Sequence, residues 1–216
     1  MSKKLITMDE AVSKIKDGMH VMIGGFMAAG TPNKMMQALV EAGVKDLTVI
    51  CNDTAFADKG IGKLITNKQV KKIITSHIGT NKSTIEQFNN KEIEVEFVPQ
   101  GSLAERIRCG GAGLGGVLTP TGVGTVAEEG KQVINLDGKD FLLEKALRAD
   151  VALIGASISD EKGNLYYRGT TQNFNPLIAM ATDLVIAEVQ EIVKTGEIAM
   201  ENVHTQAIFV DYVVKS

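Results

Sequence analysis

The chain has no tryptophan, only seven phenylalanines and three tyrosines, and just two cysteines and four prolines among its 216 residues. Cys51 and Cys109 form no CxxC pair and have no zinc-ligand spacing. That excludes metal-finger and dithiol-redox classes, and the two read as free, reduced core thiols. The three histidines, His20, His77 and His204, are scattered, so no metal triad can be built and no metal is expected. His20 lies in an apolar run and reads as a core residue. No apolar run approaches the roughly 18 residues of a membrane span, and the stretch from Met1 to Lys14 lacks an apolar export segment. No membrane association and a cytoplasmic location are therefore expected. A long basic stripe is missing as well. The net charge is -3, and the densest basic cluster, Lys68 to Lys72, reads as a solvated face, so no nucleic-acid partner is expected. No phosphate-loop lysine pattern, HExxH or GxSxG is present. Gly111 to Gly116 matches GxGxxG formally, but a helical pattern precedes it and Val117-Leu118-Thr119-Pro120 follows it, which is the wrong context for a dinucleotide site.

What the chain does have is apolar content, 44% of residues, and 22 glycines. One α/β domain over residues 1–216 is expected, with no internal repeat. Thr7-Met8-Asp9-Glu10 is a capping box that opens a helix to about Lys16. Thr31 and Pro32 offer an N-cap and a first-turn residue for a second helix ending near Gly43. Ser102-Leu103-Ala104-Glu105 reads as another capping box, with its helix closed by Gly110. Strands are expected at 19–23, 47–51, 71–75, 93–98, 132–136, 151–154, 184–187 and 207–210, and a helical segment at 84–88. Ile93 to Val98 alternates with period 2, as a strand with one solvated face does. Strand–helix alternation predicts a mostly parallel sheet sandwiched by helices, and the Asp137-Gly138 turn predicts a hairpin that makes the sheet mixed. Gly110 to Gly124 is only a weak candidate for a domain boundary.

In open α/β sheets ligands collect at the carboxyl ends of strands. Here those ends read Gly24-Gly25-Phe26, Asn52-Asp53-Thr54, Ser76-His77-Ile78-Gly79 and Pro99-Gln100-Gly101. Glycines at a strand end permit either a tight turn or close approach of backbone to a ligand. Asn52 and Asp53 are turn formers, and a glutamine in a loop is ordinarily solvated. Together, though, the amides and small residues would suit a carboxylate or thioester oxygen.

The run Asp17-Gly18-Met19-His20-Val21-Met22-Ile23-Gly24-Gly25-Phe26-Met27-Ala28-Ala29-Gly30-Thr31-Pro32 resembles the hallmark of the A (alpha) subunit of the family I, or 3-oxoacid, CoA-transferases. Val98 to Arg108, Gly110 to Gly113, Thr119 to Thr125, Gly163-Asn164-Leu165 and Asn173-Phe174-Asn175-Pro176 extend the likeness along nearly the whole chain. It is nearest to members acting on acetate, butyrate and acetoacetate. The resemblance implies a heteromeric transferase, two alpha and two beta chains, with acyl-CoA and short-chain carboxylates as substrates. Coenzyme A would be a co-substrate, with no tightly bound cofactor. In this family a glutamate of the beta subunit, in a Ser-Glu-Asn-Gly type motif, is the nucleophile. This chain lacks that motif. Glu128 and Glu129 read as surface carboxylates, so no catalytic nucleophile is expected here. Gln100 maps onto a glutamine that reaches the substrate, with Gly24, Gly25 and Phe26 walling the acyl pocket. Asn52, Ser76, Gly79 and Gly101 are further pocket candidates. Gln172 stands where relatives carry arginine, and Arg168 is the nearest substitute. Two other readings of such a chain are a sugar-phosphate isomerase enlisting Asp53 and Lys82, and a ligand-sensing module without catalysis.

Overall fold

A computed structural model describes residues 4–216. Residues 1–3, the beginning of the stretch read as lacking an export segment, lie outside the described residues. Strands β1 (His20–Ile23), β2 (Leu47–Cys51), β3 (Val70–Thr75) and β4 (Glu94–Phe97) follow one another. They alternate with helices α1 (Met8–Val12), α2 (Asn33–Ala42), α3 (Gly62–Thr66) and α4 (Lys82–Asn89). Helix α5 (Gln100–Gly111) precedes β5 (Gly116–Thr119), β6 (Val133–Leu136) and β7 (Lys139–Lys145). The chain ends with β8 (Ala149–Asp160), β9 (Leu165–Tyr166), α6 (Asn175–Met180), β10 (Thr182–Val193) and β11 (Tyr212–Lys215).

The main sheet has the order β11-β10-β8-β1-β2-β3-β4, all parallel, with β9 antiparallel on β8. The chain starts in the centre at β1, runs outward through β2 to β4, then returns to build the other half from β8. That reversal beside β1 is the switch point where such sheets open a crevice. Successive residues of a strand face opposite layers. Val21, Ile23, Val49 and Ile73 pack with Met35, Met36, Leu39 and Leu64 of α2 and α3. Met22, Ile50, Ile74 and Ala152 pack with Leu103, Ile107 and Ile178 of α5 and α6. Both faces are covered at the centre, so β1, β2 and β8 are largely continuous apolar runs, while the edge strand β4 alternates.

Helix starts differ from the sequence reading where a long-range partner takes over. The Thr7–Glu10 capping box forms, with Thr7 N donating to Glu10 at 2.8 Å, but α1 stops at Val12 instead of Lys16. Pro32, not Thr31, occupies the N-cap of α2, and it has no side chain to accept with. Glu188 of β10 does so from a distance, accepting from Met35 N at 2.7 Å and Lys34 N at 3.3 Å. The second capping box does not form. Pro99 sets the start of α5 at Gln100, and Ser102 lies inside the helix with its buried hydroxyl unpartnered. Gly110 does not end that helix, which continues through Gly111.

The hairpin at Asp137-Gly138 forms, with φ of 50° and 80° suiting a two-residue reversal. It belongs to a separate three-stranded sheet, β5-β7-β6, so it does not make the main sheet mixed; β9 does. This small sheet is tied down by Glu144, 1% exposed, which meets Lys131 at 2.6 Å and Arg106 at 3.9 Å. The stretch Gly110 to Gly124 crosses from α5 into it. Residues 207–210 are not a strand. Ala207–Phe209 is a 3-10 turn, and Tyr212–Lys215 takes the sheet edge beside β10.

Candidate functional site

Because β1 to β4 are parallel neighbours, the four glycine- and amide-bearing ends emerge along one edge of the sheet. The turn after β1 is fixed on every side. Gly24 N donates to Leu153 O of β8 at 3.0 Å, and Gly25 N to Asn173 Oδ1 at 3.0 Å. Phe26 and Ala29 exchange backbone hydrogen bonds of 3.0 and 2.9 Å around Met27 and Ala28, both at positive φ. The glycines answer to protein atoms. A Cβ on Gly24 would overlap the Asn175 carboxamide, and one on Gly25, at φ 129°, would overlap the Thr31 hydroxyl. Phe26 stands 53% exposed at the tip.

Asn173 and Asn175 form a clamp on this turn. Asn173 Nδ2 donates to Ala29 O and Thr170 O, each at 3.0 Å. Asn175 is fully buried, accepts from Gly155 N at 3.2 Å, and donates to Gly30 O at 3.0 Å and Thr171 O at 2.8 Å. Sequence reasoning gave neither residue a role. Their pairing with a turn some 148 positions away leaves no local signal.

The next strand ends converge. Asp53, 5% exposed, closes an Asx turn by accepting from Ala55 N at 2.7 Å, as a turn former does. Its other oxygen accepts from Asn52 Nδ2 at 2.8 Å and from Met27 N of the first turn at 3.0 Å. Asn52 Oδ1 accepts from Gln100 Nε2, and Gln100 Oε1 accepts from the Ser76 hydroxyl. Gln100 is thus not in a loop. It sits in the first turn of α5, exposed but held. Asn52, Ser76 and Gln100 are brought together; Gly79 packs beside the His77 ring and Gly101 faces open space. Cys51, at the same edge, is buried, and that burial pushes its thiol up to about 12 against a hydrogen bond from Thr75, which leaves it unreactive.

His20 is exposed at the opposite end of β1, not in the core, and its backbone N–H donates to Asp150 Oδ2 at 2.8 Å. Glu129 is exposed, and Glu128 is half-buried and accepts from Gly124 N at 2.7 Å. Lys82 is exposed while Asp53 is buried and spent on other donors, so the pair offers no isomerase chemistry. A cleft of about 250 Å³ borders the first turn, lined in part by Ala28, Gly30, Ser157 and Glu188. Its carboxylate is already satisfied by α2 and by Ser216. Among the described residues no three or more His, Cys, Asp or Glu gather as a metal site, and no helix is long and apolar enough to cross a membrane.

A local duplication escaped the sequence reading. Phe26 to Gly30 and Phe56 to Gly60 both fold as an aromatic, a two-residue reversal closed by a bridge, and a glycine at positive φ.

Residues 5–216 match the family described as Coenzyme A transferase. The acetate CoA-transferase subunit alpha of Escherichia coli (strain K12) is 54% identical over 216 residues, covering 100% of this chain and 98% of that protein. The alpha subunit of acetoacetyl-CoA:acetate/butyrate CoA transferase from Clostridium acetobutylicum is 51% identical over 215 residues, covering 100% and 99%. The fold is that of the glutaconate coenzyme A-transferase of Acidaminococcus fermentans, with a TM-score of 0.87 at 20% identity over 99% of this chain and 76% of that one. It is equally that of an acyl-CoA transferase apoenzyme from Escherichia coli O157:H7, with a TM-score of 0.88 at 22% identity over 100% of this chain and 47% of that longer one.

Proposed function

The chain belongs to the coenzyme A transferase family, and on that premise we propose that it is the alpha subunit of a heteromeric enzyme that moves CoA between short-chain acids. Acetate, butyrate and acetoacetate are the acids named for its relatives at 51–54% identity. The observation that carries the reading is that full-length likeness. The edge formed by Gln100 and Phe26 is consistent with it, since both are exposed and leave room for a second chain to close the pocket.

In this reading a beta-subunit glutamate attacks the acyl-CoA thioester carbonyl. The C–S bond breaks, CoA leaves as thiolate, and an acyl-glutamyl anhydride remains. The thiolate then attacks the glutamyl carbonyl, releasing the first acid and leaving a glutamyl-CoA thioester. A second carboxylate runs the sequence backwards. Splitting the exchange this way conserves the thioester energy on the enzyme.

The alpha chain supplies surroundings. Gln100 Nε2 has one proton on Asn52 and a second to give. As a neutral donor it stabilises developing charge on the substrate oxygen without an ion pair that would hold the ground state. Phe26 supplies apolar surface that keeps water from the anhydride. Gly24 and Gly25 shape the turn that carries it, and Asn52 and Ser76 orient Gln100.

The test is reconstitution with a beta chain. Transfer of CoA is expected in the mixture and from neither chain alone; full-speed transfer by this chain alone would overturn the reading. Gln100→Ala should lower kcat by about 10²–10³-fold, the size of one lost donor, with unchanged co-purification.

A further inference from the structure

We propose that Asp53 is a positioning residue for the transfer reaction: its carboxylate sets the direction of a chain of hydrogen bonds that ends on Gln100, and so decides that Gln100 presents an N–H to the substrate. The proposal rests on the reading of Gln100 given above.

An ionised carboxylate can only accept. The Asn52 atom 2.8 Å from Asp53 Oδ2 must therefore be the NH2 group. That turns the Asn52 carbonyl toward Gln100, where it too can only accept, so Gln100 must offer Nε2. Gln100 Oε1 is then turned to the Ser76 hydroxyl. That hydroxyl also lies 2.7 Å from Asn52 O, which accepts from Thr75 Oγ1 at 3.0 Å and Ser76 N at 3.3 Å as well. The single Ser76 proton is shared between Asn52 O and Gln100 Oε1, so the orientation of Gln100 is set from the Asn52 side. Every amide in the series has one orientation, and the only fixed charge that imposes it is Asp53. The same Oδ2 accepts from Met27 N, beside Phe26. One oxygen thus sets both the donor and the apolar wall.

Asp53→Asn removes the sign while keeping the shape. Asparagine has one acceptor and one donor where three N–H groups now converge. Either way round its NH2 meets a backbone N–H, Met27 N or Ala55 N. With the NH2 toward Asn52 each amide turns over in sequence and Gln100 shows a carbonyl where it showed N–H, and with the carbonyl there the series loses the charge that fixes its direction. Asn52→Leu cuts the series at its middle while leaving the Ala55 and Met27 bonds to Asp53, so it separates the relay from support of the turns.

In the reconstituted alpha–beta complex, both variants should lower kcat by about 10²-fold with little change in KM. In a Gln100→Ala background neither should lower it by more than about twofold further, because residues acting through one another are not additive. Equal losses with and without Gln100 would overturn the proposal, as would wild-type turnover in Asn52→Leu. If Gln100→Ala itself leaves turnover intact, the Gln100 reading fails instead. Orientation is then judged alone, from the Gln100 side-chain N–H pair in a complex with ¹⁵N-glutamine-labelled alpha chain. That pair should shift in Asp53→Asn and Asn52→Leu but not in Asp58→Asn, and an unmoved pair would overturn the proposal.

Discussion

The turns that follow β1 and β2 lie side by side and share a plan, yet they are held in different ways. A Cβ added to Gly60 of the second would stand 3.3 Å from Ala28 of the first. In both, a phenylalanine opens a two-residue reversal, and a glycine four positions on, at φ 74° or 54°, releases the chain toward a helix. In the second turn the ties are near in sequence: Thr66 Oγ1 donates to Ala57 O, Thr80 Oγ1 to Ala55 O and Asn81 Nδ2 to Thr54 O. Phe56 is half-buried and the central pair, Ala57 and Asp58, avoids positive φ. In the first turn Met27 and Ala28 sit at φ 48° and 70°, Gly25 at 129°, and the ties come from Asn173, Asn175 and Asp53. Non-glycine residues at positive φ cost about 1–2 kcal/mol each, and persist where surroundings over-determine them. The strained turn is the one whose aromatic is exposed to the proposed pocket. The second turn carries one such residue, Ala55 at φ 50° ahead of Phe56, where the first carries two, and it is scaffold.

The sharpest way to break that contrast is at the residue before each aromatic. Gly25→Val should cost about 3 kcal/mol or more in denaturant unfolding, from strain and overlap with Thr31, while Ala55→Gly, which relieves an αL residue at φ 50° but loosens the unfolded chain, should change stability by less than about 1 kcal/mol. Lost transfer activity in Gly25→Val then reports a damaged turn and does not separate packing from ligand approach. A Gly25→Val chain as stable as wild type would show the first turn to be slack. Next, Phe56→Ala should cost about 2 kcal/mol, less than a fully buried phenylalanine. Phe26→Ala should stay within about 0.5 kcal/mol and lower turnover. Equal stability losses would erase the division into wall and scaffold. Asn173→Ala should speed hydrogen exchange at Gly25 and leave the amides of Lys59 and Gly60 unchanged; a common acceleration would mean the two turns open as one unit. The smallest effect is at the second central position. Ala28→Gly should stabilise by about 1 kcal/mol by relieving αL strain, whereas Asp58→Gly should destabilise by about 0.5 kcal/mol through the entropy of the unfolded chain.

The central strands were legible because burial on both faces writes β1, β2 and the second half of β3 as short apolar runs ending in a polar or glycine residue. β1, β2 and β3 fall within a residue of the expected bounds, and their parallel alignment gathers the ends named from sequence. Ser102 misled because its spacing to Glu105 imitates a cap, while Pro99, with no side-chain acceptor, sets the true start of α5. Residues 207–210 are apolar enough for a strand, but β11 takes the place beside β10. The partners of each site residue were not legible at all. Which amide meets which depends on strands 24 to 48 positions apart, and the Asn173–Asn175 clamp on a return from the far half of the sheet.

That return imposes an order in time. The carbonyl that Gly24 needs belongs to Leu153, and the carboxamide that Gly25 needs belongs to Asn173. At ribosomal speeds of about 5–20 residues per second, those groups leave the exit tunnel on the order of ten seconds after the glycines do. Until then β1 lacks β8, its neighbour on one side, and the strained loop has nothing to brace against. The nascent chain carries an unfinished hinge at its most exacting point, and a chaperone or a waiting beta chain would meet it in that state.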